Sequence, residues 1–272
     1  MSRAVMDDAA TLAALNRRFR LRRAWLIVRR NVLVFRTARL ALLSGMIEPL
    51  VYLLTLGVLL DRMVGTVTVS GQTVDYLSYV APGLLAATTM TVVVNESVSN
   101  LFYKLRISRA YDAVLAAPVS GVDIVVGELG WTLMRTALCA APFIAAMAGL
   151  GVASRASVPL LLLGTLIEAI AFGAVGLAVA TYLRTWQQRD LVQVVVLPMF
   201  YLCGTLFPVQ GYPEAVRALV TITPLYPCVE LLRSWSVGVA QVDVSFSLAY
   251  LGLMTVVGGA VAVHRIETLL RR

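Results

Sequence analysis

At 272 residues the chain is long enough for one or two domains, yet 59% of it is apolar and only 14% is Asp, Glu, Lys or Arg, with a mean hydropathy of +0.83. Globular domains carry about 25% charged residues. Charges this sparse do not clothe a soluble core, which excludes a soluble enzyme, a disordered chain and a disulfide scaffold. The net charge of +8 would suit nucleic acid only if it were clustered for that purpose, and it is not.

The N-terminal arm, residues 1–39, holds ten arginines and no uninterrupted apolar core, so no cleavable signal peptide is read there. On a helix Trp25, Val28, Val32 and Phe35 fall at i, i+3, i+7 and i+10, with Arg22, Arg29 and Arg36 recurring along one edge. That face suits an amphipathic helix in the headgroup plane; the alternative is a solvated basic tail that only fixes topology.

Crossing a hydrocarbon core takes about 20 apolar residues. Six segments fit: Leu40–Leu60, Tyr79–Ser99, Leu129–Leu150, Val158–Ala180, Leu191–Phe207 and Val244–Val263. Asn95 and Glu96 interrupt the second, and the fifth is short. With both termini cytoplasmic, eighteen basic residues fall inside and four outside, which fixes the orientation by the positive-inside rule. The expected fold is therefore an all-α polytopic membrane protein. It has the arm at 1–39, one six-helix domain at 40–265 and a cytoplasmic tail at 266–272, in the plasma or inner membrane.

Ionisable residues within spans are functional candidates by default. Glu48, followed by Pro49, lies in the first span, Arg135 in the third and Glu168 in the fourth. The depths of Glu48 and Arg135 favour an ion pair between them. The alternative is that Arg135 snorkels to the interface while Glu48 helps break the helix at Pro49. Small residues (Ala169, Gly173 and Gly176; Gly252, Gly258 and Gly259) suit close helix approach, within one chain or across a dimer seam.

Between the second and third spans, Ile107, Tyr111 and Val114 recur at i, i+4 and i+7, flanked by Arg106, Arg109 and Asp112. Leu115 follows, and Pro118 stops the helix. This short amphipathic helix either rests on the bilayer or docks in a groove of a cytosolic protein. The outer segment Pro208–Asp243 is broken by Pro208, Pro213, Pro224 and Pro227; it either re-enters the outer leaflet or folds as an ordinary external loop.

Several chemistries have no residues here. The single lysine, Lys104, follows Tyr103, so no Gly-Lys-Ser/Thr phosphate loop exists. One histidine, His264, and the scattered Cys139, Cys203 and Cys228 make no zinc set, and no G-x-S-x-G elbow is present. No catalytic residue and no metal ligand are assigned.

Four stretches carry a resemblance. They are Glu48-Pro49-Leu50 leading into Tyr52-Leu53-Leu54; Tyr79 to Leu84; Tyr111-Asp112-Ala113 through Ala117-Pro118 to Gly127-Glu128; and Gly204 through Phe207-Pro208 to Pro224-Leu225 and Arg233. In this order the chain resembles the permease subunits of ABC-type-2 exporters, which include nodulation-factor, polysaccharide and drug exporter permeases. Pro227 departs from the family signature, which usually places His, Tyr, Arg or Ser there.

The resemblance implies two six-span subunits, either two copies or a copy and a sister permease, enclosing a path. Two cytosolic ATP-binding subunits would drive it, and ATP and Mg would be bound by those partners, with no cofactor in this chain. The helix around Ile107–Leu115 would be the coupling helix and that around Trp25–Phe35 the interfacial connecting helix. An amphiphilic or lipophilic substrate is favoured, since no aromatic ladder for sugar stacking is evident. Two other readings remain at this point: a proton-coupled secondary transporter using Glu48 and Glu168, and an intramembrane enzyme.

Overall fold

The computed structural model describes residues 25–33, 39–69, 71–108, 120–239 and 241–270. Residues 25–33 form helix α1. The next helical run joins α2 (Arg39–Tyr52), a π-helical stretch (Leu53–Leu59) and α3 (Leu60–Val64) end to end. Pro49 sits inside α2, where it supplies no N–H to the ladder, and the wider π turns begin four residues later.

The chain then makes an antiparallel hairpin, β1 (Thr66–Val69) and β2 (Gln72–Asp75), pairing Thr66 with Asp75 and Val69 with Gln72. Gly71 turns it with φ +79°, a conformation that favours glycine. Leu77 N donates to Asp61 Oδ1 at 2.8 Å, which ties α3, before the hairpin, to the helix that follows it. The all-α polytopic expectation agrees with a chain that is mostly helical, to which this two-stranded hairpin is a small addition. Its Thr/Val alternation is short, and long apolar runs flank it on both sides.

Helix α4 (Tyr76–Phe102) continues in π turns through Tyr103–Ile107. Helix α5 (Gly121–Gly149) starts at a capping box. There Ser120 Oγ accepts from Asp123 N at 3.3 Å, and Asp123 Oδ2 accepts from Ser120 N at 3.1 Å. Helices α6 (Ser157–Tyr182), α7 (Trp186–Leu202), α8 (Glu214–Ile222), α9 (Leu225–Val237) and α10 (Val244–Leu270) follow. By length and composition, Tyr76–Ile107, Gly121–Gly149, Ser157–Tyr182 and Val244–Leu269 suffice to cross a membrane. The α8–α9 pair, bent by 83°, passes that test only as a unit. The protein is a multi-pass membrane protein.

Two boundaries move for local reasons. The fifth expected span, Leu191–Phe207, is occupied by α7, which starts five residues earlier. There Gln188 Oε1 accepts from Arg184 N at 2.7 Å and Thr185 N at 3.4 Å. It ends at Leu202, ahead of Gly204 with φ +73°. The segment Pro208–Asp243, expected to lie outside, is no ordinary loop. Residues 225–233 of α9 are buried, and α9 packs on α4, α6 and α10.

Helix α4 lies at the centre of the bundle, with every residue from Tyr79 to Met90 buried. The small residues mostly serve packing within the chain. A Cβ at Gly258 would meet Val175 N at 2.9 Å, backbone against backbone between α10 and α6. One at Gly176 would meet Ser97 Cβ of α4 at 2.8 Å. Gly252 and Gly259 face open space.

Candidate functional site

A buried charge cluster sits where α4 ends and α5 begins. Lys104 Nζ donates to both carboxylate oxygens of Glu128 at 2.7 Å and to Asn31 Oδ1 of α1 at 2.8 Å. Asn31 Nδ2 and Asn100 Nδ2 donate to Glu128 Oε2 at 3.3 and 3.2 Å. Burying a charge is costly unless it is paired and hydrogen-bonded, and here both conditions hold. The cluster locks three elements together, α1, α4 and α5. It stands at both ends of the connection that holds residues 109–119.

Eight residues back along α4, about 12 Å at the helical rise, lies a second cluster. Glu96 accepts from Arg135 and from Trp131 Nε1, the latter at 2.7 Å. As numbering climbs on α5 from 128 to 135 it falls on α4 from 104 to 96, the register of an antiparallel helical hairpin. The expected Glu48–Arg135 pair is therefore corrected. Glu48 is exposed, and its contact is Tyr52 Oη, which donates to it at 3.4 Å. Glu96 wins because α5 presents Arg135 to α4 at the same depth.

A double-mutant cycle checks this. Glu96→Gln with Arg135→Met should show a coupling of about 1–3 kcal/mol, while Glu48→Gln with Arg135→Met should be additive. Coupling in the second cycle alone would overturn the assignment.

Two further polar groups lie deeper. Arg233 donates to Glu230 within α9, to Gly204 O at 2.8 Å and to Tyr79 O at 3.3 Å, with its guanidinium carbon 3.9 Å from the Tyr79 ring centroid. Glu168 on α6 is 1% exposed, and neither carboxylate oxygen has a hydrogen-bond partner among the described residues.

Between α2, α4 and α7 opens a cavity of about 210 Å³ with mixed chemistry. Glu48 and Tyr52 line it from α2, Thr91 and Asn95 from α4, and Gln193, Phe200 and Tyr201 from α7. Gln193 Nε2 donates to Asn95 Oδ1 across the cavity. The rings of Tyr52 and Phe200 lie 5.4 Å apart, and those of Phe200 and Tyr201 5.0 Å apart. Amides, a carboxylate and aromatic rings packed at a tilt or edge-on make a surface that can take polar and apolar parts of one molecule.

The family model described as ABC-2 type transporter matches residues 22–235. The chain belongs to the ABC-2 type transporter family. It is similar to Nodulation protein J of Rhizobium meliloti (strain 1021), with 30% identity over 236 residues, covering 86% of this chain and 88% of that protein. Nodulation protein J of Rhizobium leguminosarum bv. viciae is 30% identical over 86% of the chain and 90% of its own length. The protein of the same name from Rhizobium leguminosarum bv. trifolii is 31% identical over 81% and 84%. The chain is thus an ABC transporter permease and an integral membrane transport protein.

In this ABC-2 permease the predicted coupling residues are divided. Arg106 and Ile107 are exposed on the last π turns after α4, whereas Arg109, Tyr111, Asp112, Val114 and Leu115 lie outside the described residues. Of the interfacial stripe, Trp25 is exposed, Val28 is buried with its side chain 3.1 Å from a Cβ built at Gly130, and Val32 is half-buried. Phe35 lies outside the described residues.

Residues 25–33 of the arm therefore dock on the bundle rather than forming only a solvated tail. Sequence reasoning missed Glu96, Glu128, Asn31 and Asn100. The interruption of the second span by Asn95 and Glu96 was the available signal, since a carboxylate in a span demands a partner.

Proposed function

We propose that this chain is the transmembrane half of an ATP-driven exporter that moves an amphiphilic or lipophilic molecule, such as a drug, lipid or lipo-oligosaccharide, out of the cytoplasm. In this reading it has six spans, formed by the helical run 39–64, α4, α5, α6, α7 and α10, with both termini cytoplasmic. The cavity between α2, α4 and α7 carries the reading. It sets polar and aromatic groups side by side at span depth and supports an amphiphile over a purely polar chain. Two such subunits enclose the path.

Membership of the ABC-2 family implies a separate ATP-binding subunit, and the sequence offers no phosphate loop of its own. ATP and Mg belong to that partner. Force enters through the segment between α4 and α5, where Ile107, Tyr111, Val114 and Leu115 form the face that seats in the ATPase. The Lys104–Glu128 cluster supports this role. It ties α1, α4 and α5 to one another, which gives a push on the segment between them a route to α4 at the centre of the bundle.

The test is Tyr111→Glu or Leu115→Asp in the assembled complex in vesicles. A charge forced into an apolar contact costs about 2 kcal/mol or more, equivalent to roughly thirtyfold weaker engagement. Transport should fall while the ATP-binding subunits still hydrolyse ATP. Unchanged transport in an intact complex would refute coupling through this face. Transport that persists without the ATPase and collapses with the proton gradient would favour proton coupling through Glu48 and Glu168 instead.

A further inference from the structure

A second concavity differs in kind from the mixed cavity between α2, α4 and α7. A groove of about 550 Å³ runs between α4, α6, α7 and α10, walled by Val94, Phe172, Val179, Leu191, Val195 and Met254. Leu191 and Val195 remain 64% and 63% exposed on its flank. Along α7 the lining extends from Gln188 to Met199, about 16 Å at the helical rise. That is roughly half of a hydrocarbon core of about 30 Å, the depth of one leaflet.

Charge marks one end of this groove. Tyr182 and Gln188 form its mouth. Arg265 places its guanidinium carbon 4.3 Å from the Tyr182 ring centroid, and Arg189 lies 4.6 Å from that of Trp186, which itself packs on Phe102. Among the described residues Arg265 has no carboxylate partner, and its Nε is buried without a hydrogen bond. Arg189 Nε is in the same state. Its remaining contacts, Asp190 at 3.4 Å and Ser99 at 3.5 Å, are at the limit of hydrogen-bond range.

We propose that this groove binds an anionic glycerophospholipid, with one acyl chain between α6 and α7 and the phosphate held by Arg189 and Arg265. The observations select this occupant over a second copy of the chain. The groove is one leaflet deep and apolar along its length. Its donors gather at the mouth, where two guanidinium groups retain unused N–H donors. Guanidinium forks match phosphate oxygens, and the aromatic rings hold them at the interface. Basic pockets between helix ends are the expected seat of anionic headgroups.

The experiment reconstitutes the full chain in phosphatidylcholine nanodiscs. These contain a trace of phosphatidylglycerol, or of phosphatidylcholine, carrying a photoactivatable group near the end of one acyl chain. Peptides from residues 172–183 and 188–199 should be labelled by the phosphatidylglycerol probe in roughly tenfold excess over the phosphatidylcholine probe. The double variant Arg189→Gln, Arg265→Gln should bring that ratio close to one. Val195→Trp, an exposed position that keeps the core intact, should suppress labelling by both probes, and Val179→Trp is a second blocking variant.

Equal labelling by the two probes in the unmodified chain would overturn the proposal. So would labelling confined to other helices, or cross-linking of Val195→Cys between two copies with no lipid labelled.

Discussion

Replacing Lys104 with Met is expected to destabilise the protein by about 3–5 kcal/mol, the cost of breaking a buried ion pair by removing one partner. The side chains of Lys104 and Glu128 are 8% and 2% exposed, so solvent does little to screen the loss. Asn31 and Asn100 would still donate to Glu128, but neutral amides do not replace the Lys104 ammonium. Thermal unfolding in detergent measures the effect. The double variant Lys104→Met, Glu128→Leu should recover most of the stability, because removing both charges removes the desolvation cost with them. A single variant as stable as the parent would show that the cluster does not hold α1 to α4 and α5.

Arg233→Leu is expected to be of similar size, about 3–5 kcal/mol. The change strands Glu230, which is 1% exposed, takes the guanidinium donor from Tyr79 O, and leaves Gly204 O with the Tyr79 hydroxyl at 3.1 Å in place of two donors. Arg233→Lys should rescue little. One ammonium does not reproduce a planar fork that serves a carboxylate and two carbonyls while stacking on Tyr79. Both variants are read by thermal unfolding and by protease sensitivity of the stretch between α7 and α8. A lysine variant that matches the parent would mean that charge alone, rather than fork geometry, holds α9 in the bundle.

Sequence reading and structure part at the charged residues. Arg135 was visible as an intramembrane cation, but its partner was not, because Glu96 read only as an interruption at the end of the second span. Linear depth favoured Glu48. The antiparallel register of α4 and α5 places Glu96 beside Arg135 instead and leaves Glu48 facing the cavity. Glu168 was visible as an acid within a span, and α9 and α10, which pack on its helix α6, come from far along the chain. The aromatic group at the cavity was hidden for a related reason. Tyr52 and Phe200 are separated by most of the molecule, and only the packing of α2 against α7 brings their rings together.

Apolar runs, the sparse charges and the ordered motifs from Glu48 to Arg233 were enough to place this chain in a membrane and in its family. Those properties are local: a run of apolar residues must seek lipid or protein whatever surrounds it, and a phosphate loop is either written in the chain or not. Partnerships between charges, the hairpin at Thr66–Asp75 and the seating of α9 belonged to the folded bundle alone. Each is set by which helix faces come within hydrogen-bond reach; a residue such as Glu96 can announce in the sequence that it needs a partner, but which remote residue meets it is decided by the distances that packing sets.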